Sequence, residues 1–438
     1  MSENQRNEMK ADAMSMGSAM TALELNGLKY RIPQPLSTAV ARTFKREYSQ
    51  RQTYQVGAPI IFDWNTGTSY VEPQSALLSF ELELTNNDAA NRTYTWGSGL
   101  GGCSLIEEIR IISKNGVEID RTQSANVLAK TLADYKMSPA GRENLQMLDG
   151  YPAGVGIVVP AGATVTLPIT IPMKFLSGFF RPVVEGMLIP AGLASGLRLE
   201  LLLAPAARAF QSNGGVDPSY VVANTELLMQ LTDLNDPTQS ALMRESSASG
   251  LEYTFPSYFA TSVSNAGSSQ ITEQIKKAVS QATRVFTVLF DKTDDDPTVI
   301  TSDGFASMYA NRVGAYQYRV GSSYYPMQQI QRSSELWAVA ASTFDGLRNI
   351  EYQPNQVNYV DFQTGGKLLL GSSLETSDRL NLSGLPLNNS NTLELRFTQK
   401  AGGNSVGVTN STTALEAVIF VEYVSVTKTS INRTSLRI

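Results

Sequence analysis

The chain of 438 residues is 42 % hydrophobic, with a formal net charge of −5, one cysteine and no histidine. Its length suits two packed interiors of roughly 200 residues better than one, and its acidity excludes a wholesale nucleic-acid binder, whose surface would be basic. Without histidine there is no Ser-His-Asp or Cys-His catalysis and no His-ligated zinc, and with Cys103 alone there is no internal disulfide.

Residues 1–50 lack clean alternation. They set Arg6, Lys10, Lys29, Arg31, Arg42, Lys45 and Arg46 against Glu3, Glu8, Asp12, Glu24 and Glu47, a mildly basic segment in an acidic protein. The stretch "MSENQRNEMKADAMSMG" is polar and lacks the apolar run of a secretory signal. Nowhere do apolar residues continue for the ~20 positions that a membrane helix needs. We expect 1–50 to be an arm, either a flexible terminus or a segment reaching a neighbouring subunit, an acidic membrane surface or a nucleic acid.

Strands follow from residue 54. "SFELELT" (79–85) alternates Phe80, Leu82 and Leu84 against Glu81 and Glu83, which predicts a half-buried strand. "IEEIRIISKNGVEIDRTQ" predicts a hairpin around Asn115-Gly116, and "SANVLAKTLADY" a helix with Val127, Leu128, Leu132 and Tyr135 on one face and Ser124 as N-cap. "TVTLPITIPM" (164–173) alternates, but Pro168 and Pro172 cannot donate to a ladder, so it belongs at an edge or a bulge. "LRLELLLA" (197–204) and "TELLMQLTDL" (225–234) close this half, and the polar, small residues of 237–250 read as a linker.

The pattern then restarts. "TRVFTVLFD" (283–291) is a strand, and "AYQYRVGSSYYPMQQI" (315–330) a hairpin. "SELWAVAASTF" is a helix with Leu336, Trp337, Ala340, Ala341 and Phe344 on one face, capped by Ser333 or Ser334. "QVNYVDFQ" (356–363), "NTLELRFTQ" (391–399) and "LEAVIFVEYVSVTKT" (415–429) are expected strands. Corresponding stretches follow in the same order, from 191 positions apart (Thr225 to Glu416) to 210 apart (Ser124 to Ser334). One β-domain therefore occurs twice. The fold expected is all-β: two tandem eight-stranded jelly rolls, 51–236 and 251–438, each with a short helix after a hairpin.

Motifs that could carry chemistry read more simply. "GSGLGG" (97–102) is followed by Cys103, Ser104 and Leu105 rather than the Lys-Ser/Thr of a P-loop, so it is a loop. Asp294, Asp295 and Asp296 lack EF-hand spacing and read as a solvated turn, with a cation between subunits as the other possibility. Cys103 precedes an apolar strand and is expected to be buried. Trp337 is expected in the core, while Trp64 and Trp96 near turns are undecided between core and a sugar-binding platform. Asn91-Arg92-Thr93 and Asn410-Ser411-Thr412 match a glycosylation pattern that an Asn/Ser/Thr-rich chain yields by chance. No catalytic, cofactor-binding or metal-ligating residue is nominated, and no enzyme activity or cofactor is expected.

"GGCSLIEEIRIISKNGVEIDRTQSANVLAKTL" (101–132), "MLIPAGLASGLRLELLLAPA" (187–206) and "YQYRVGSSYYP" (316–326) resemble segments of the double jelly-roll major capsid proteins of icosahedral DNA viruses. That group includes polinton-like viruses, virophages and relatives of the adenovirus hexon; hexon's large tower insertions are missing here. The resemblance implies a homotrimer whose six jelly rolls form a pseudo-hexagonal capsomer, tiled into a virion shell. The single cysteine, with nothing marking an oxidising compartment, points to synthesis in the host cytoplasm or nucleus. The resemblance also implies partners: neighbouring capsomers, penton and minor capsid or cement proteins, and an internal membrane or the genome through the arm. Residues 431–438 are expected to help lock neighbours. The alternatives are a carbohydrate-binding or glycan-processing double jelly roll, and a minor capsid or spike protein.

Overall fold

Apolar residues at every second position build nearly all of this molecule. The computed structural model describes residues 39–96, 101–138, 141, 156–184, 186–212, 217–235, 238, 240–242, 244–245, 250–265, 269–291, 313–344, 357, 359–364, 366–375, 384–388, 390–400, 415–430 and 433–437. The first half contributes β1 (Ala39–Tyr48), β2 (Thr53–Tyr54), β3 (Ile60–Asp63), β4 (Tyr70–Thr85), β5 (Arg92–Trp96), β6 (Ile106–Ile112), β7 (Glu118–Gln123), β8 (Ile157–Val159), β9 (Thr164–Pro172), β10 (Arg198–Leu203), β11 (Phe210–Ser212) and β12 (Ser219–Leu234). The second contributes β13 (Leu251–Asn265), β14 (Gln270–Ile275), β15 (Val279–Asp291), β16 (Val313–Val320), β17 (Ser323–Ile330), β18 (Leu370–Ser373), β19 (Leu385–Leu387), β20 (Leu393–Gln399), β21 (Leu415–Ser430) and β22 (Arg433–Arg437). Helix α1 spans Ala125–Lys136 and α2 spans Ser333–Thr343.

The sheets show the repeat. In the first half the strand orders are β1-β12-β4-β9 and β3-β10-β6-β7; in the second they are β13-β21-β15-β18 and β14-β20-β16-β17. Taking β1, β3, β4, β6, β7, β9, β10 and β12 as strands one to eight of a barrel, both halves read 1-8-3-6 and 2-7-4-5, all antiparallel. This is the jelly-roll order, written twice. The first half adds a small sheet, β11-β5-β8. Both long helices fall between strands five and six.

Each barrel has its own core. Leu78, Phe80, Leu82 and Leu84 point inward from β4, while Glu81 and Glu83 face out. They meet Ile109 and Ile111 of β6 and Leu199 and Leu201 of β10 across the first sandwich. In the second, Phe286, Leu289, Tyr318, Leu395 and Phe420 do the same. Burial of each such side chain stabilises the fold by about 1.5–3 kcal/mol. Asn115-Gly116 makes the β6–β7 turn, with Gly116 at φ +76°, a conformation only glycine adopts readily. β9 ends its sheet, the edge position that Pro168 and Pro172 require.

Two segments tie the barrels together. α1 turns Ala125, Ala129 and Ala133 to the first core but Val127, Leu128, Leu132 and Tyr135 to the second. In the other direction, Tyr253 and Phe255 at the start of β13 pack into the first core. β22 pairs with β21 of its own chain and sets Leu436 against the first core.

The structure corrects several expectations. Residues 39–48 of the expected arm are strand one of the first barrel, paired with β12 from Ala39↔Leu234 to Tyr48↔Glu226; residues 1–38 lie outside the described residues. Of the expected strand 356–363, Tyr359–Thr364 is helical, with Phe362 buried, Val360 exposed and Tyr359 edge-on to Trp337 of α2. Strand six of that barrel is instead β18, beneath α2. There Gly371 is needed because a Cβ would meet Thr343 Oγ1 at 2.5 Å. Ser124 holds the expected N-cap position of α1, but α2 is not capped by Ser333 or Ser334. Ser124 adopts φ +50° and makes no side-chain cap, and Arg332 occupies the cap position of α2. Trp337 is half-buried against the second core rather than within it. Half of the linker 237–250 lies outside the described residues.

Candidate functional site

The most unusual chemistry lies in the seam between the barrels. Asp120 is buried on β7, at the edge of its sheet. Ser177, after β9, and Ser257, on β13, each donate a hydroxyl to its carboxylate at 2.5 Å. Ser257 Oγ also lies 3.0 Å from the Tyr423 hydroxyl. Burial raises the Asp120 pKa above the ordinary value, and the two hydroxyls and the Arg121 amide offset this only in part.

A charged cluster lies nearby. Glu422 of β21 is buried and touches Arg284 of β15 at 3.0 Å and Lys136 of α1 at 3.9 Å. Burial pushes its pKa up, but Lys136, Arg284 and Arg181 pull it down further, to about 2. Arg181 donates to the Tyr258 hydroxyl at 2.9 Å. These groups line a cavity of about 300 Å³. Lys136 and Arg181 come from the first half, and Tyr258, Arg284 and Glu422 from the second.

The rest of the seam is tight. At Gly178 a Cβ would stand 1.6 Å from the Pro256 carbonyl oxygen, so only glycine allows β13 to approach. Phe179 packs its ring against Tyr253 and Phe255, with centroids 5.3 and 5.2 Å away, and Tyr253 donates its hydroxyl to the Phe179 carbonyl. Tyr135 of α1 donates to the Lys367 carbonyl at 2.7 Å. The acid is enclosed by hydroxyls and the ions by one another. Both clusters draw their members from the two barrels.

Residues singled out in the sequence do not converge on a site. Cys103 is buried, and Gly102 packs where a Cβ would meet Ile169 at 2.4 Å. Trp64 is buried against Phe180 and Trp96 stacks on Phe210 at 5.2 Å, so neither forms a sugar platform. Asn91 accepts a hydrogen bond from the Ala161 amide at the surface. Residues 97–100, Asp294 to Asp296 and Asn410 to Thr412 lie outside the described residues. Among the described residues no group of three or more Cys, Asp or Glu is placed to hold a metal ion, and no helix is long and apolar enough to cross a membrane.

Two surfaces expose apolar side chains on edge strands. β1 turns Val40, Phe44 and Tyr48 outward, 69, 64 and 68 % exposed, with Arg42 and Arg46 between them. β17 exposes Tyr324 and Met327, the latter 88 %. Our reading of the sequence missed the first. Its signal was there: apolar residues four apart in "VARTFKREY" share one strand face.

No protein-family model matches the chain, and no curated protein matches it in sequence. Solved structures do match in fold. A quasi-atomic model of the PBCV-1 virus capsid aligns over 90 % of this chain and 96 % of its own, with TM-score 0.60 and 14 % identity. The Faustovirus major capsid protein aligns over 90 % and 91 %, with TM-score 0.61 and 7 % identity. The mavirus major capsid protein aligns over 90 % and 90 %, with TM-score 0.50 and 11 % identity. At these identities the shared property is the fold, a double jelly roll over nearly the whole of each chain.

Proposed function

Starting from that double jelly roll, we propose that this chain is a major capsid protein: a homotrimeric, pseudo-hexagonal tile of an icosahedral virus shell, located in the virion and without catalytic function. The observation that carries this reading is the repeated strand order 1-8-3-6 and 2-7-4-5 with a core in each half. Two similar barrels in one polypeptide let three copies present six, so a threefold object fills a sixfold site in a lattice. The seam supports the same reading. Burying Asp120 and the Glu422 cluster between barrels fixes their relative angle, which a tile requires and a flexible tandem binder does not. Lateral contacts then need only be individually weak, because each tile has many neighbours and their effects multiply.

Penton and minor capsid or cement proteins are the further partners of such a tile, and residues 1–38 are the segment to test for contact with an internal membrane or genome. Buried Trp64 and Trp96 count against the carbohydrate-binding alternative. Copy number within the particle separates a major shell component from a minor one. The direct test is native mass spectrometry of the purified protein. Three copies of 47.6 kDa give about 143 kDa; a stable monomer at micromolar concentration contradicts the proposal.

A further inference from the structure

The chain contains one barrel-to-barrel joint, and its repeat supplies the parts for another. In the existing joint, β13, strand one of the second barrel, lays a face on the free edge of the first, where β7 ends its sheet and α1 follows. Tyr253 and Phe255 of β13 meet Phe179, and Ser257 meets Asp120 of β7. Every residue of α1 from Ala125 to Tyr135 is buried, with Val127, Leu128, Leu132 and Tyr135 in the second core.

Strand order is the same in both barrels, so each carries both halves of such a joint. β1 stands in its barrel where β13 stands, and β17 with α2 stands where β7 with α1 stands. Among the described residues these two counterparts have no comparable contact. β1 presents Val40, Phe44 and Tyr48 to solvent, and β17 presents Tyr324 and Met327. In α2 only Leu336, Ala340, Ala341 and Thr343 are buried, whereas Ser334, Glu335 and Ser342 are exposed. An open edge strand with an apolar outer face invites association unless it is covered.

We propose that β1 of one copy seats on the β17–α2 edge of the next, as β13 seats on the β7–α1 edge within the chain. The joint is head-to-tail, between two different surfaces, so every open chain of copies ends with one of each unfilled. Only a closed ring fills all of them. The proposal rests on the capsomer reading, which sets closure at three copies, and it names the contact that reading leaves open.

The test uses the full chain with Phe44→Asp on one surface and Met327→Asp on the other, read by native mass. Tyr48→Asp repeats the first arm with an independent residue. All three side chains are largely exposed, so the melting temperature of each monomeric variant is a control for folding. Wild type is expected near 143 kDa and each variant alone at 47.6 kDa. An equimolar mixture of F44D and M327D is expected near 95 kDa, two copies. There the intact β1 of the Met327 variant seats on the intact β17 edge of the Phe44 variant, and the remaining surfaces are both spoiled. Trimeric variants overturn this interface while leaving the capsomer reading intact. Monomeric variants that fail to pair when mixed overturn the head-to-tail arrangement. A monomeric wild type removes the capsomer reading, and this inference with it.

Discussion

At the scale of residues, the seam makes opposite demands on two acids. Asp120 has a folded pKa above its ordinary value, so between the two values the folded state holds the proton more tightly. Its contribution to stability is therefore present below the ordinary aspartate value and is lost as pH rises through the raised one. Asp120→Asn should raise the melting temperature at pH 7, with an advantage that shrinks as pH is lowered toward the ordinary aspartate range. A pH-independent difference would contradict the assignment. Glu422 is the reverse case. Depressed to about 2, it contributes stability above the ordinary glutamate value of 4.5, and that contribution is lost as pH falls through about 2. Glu422→Gln leaves three cations around an uncharged amide and should destabilise by about 3–5 kcal/mol at neutral pH, far less near pH 2, in denaturant titrations. Gly178→Ala drives a methyl into the Pro256 carbonyl, and a loss of about 1–3 kcal/mol is expected in the same titration.

At the scale of elements, α1 belongs to one barrel by sequence and to two by packing. Leu128→Ala should cost about 2–5 kcal/mol and speed amide exchange in β15 and β21, although the residue lies in the first half. Much of this architecture was legible. Alternation in "SFELELT" and "LRLELLLA", the Asn115-Gly116 turn and the apolar faces of both helices are strong local signals, and each element is where the pattern puts it. The failures have physical causes. β1 inverts the usual polarity: its exposed face carries Val40, Phe44 and Tyr48 while Lys45 and Glu47 are partly buried, so it reads as irregular. "QVNYVDFQ" has strand composition, but Val357 and Phe362, its buried apolar residues, are five apart, which no alternating strand allows. β18 is a four-residue strand, Leu370–Ser373, cut short by small residues that accommodate α2. Ser124 sits at the cap position, yet with a left-handed backbone its side chain makes no cap hydrogen bond. The seam was not legible, because Asp120, Ser177, Ser257 and Tyr423 are brought together only by folding.

At the scale of the molecule, the repeat is the feature from which function follows. A chain starting at residue 39 keeps every described strand of both barrels and should remain trimeric in native mass spectra; shell assembly by the same truncation then reports what 1–38 add. The central claim, that three two-barrel chains make a six-sided tile, is tested most directly by electron microscopy of the purified protein. The account predicts class averages with threefold symmetry and a hexagonal outline containing six barrels. Particles showing two barrels, or a ring with any other number of copies, would contradict it.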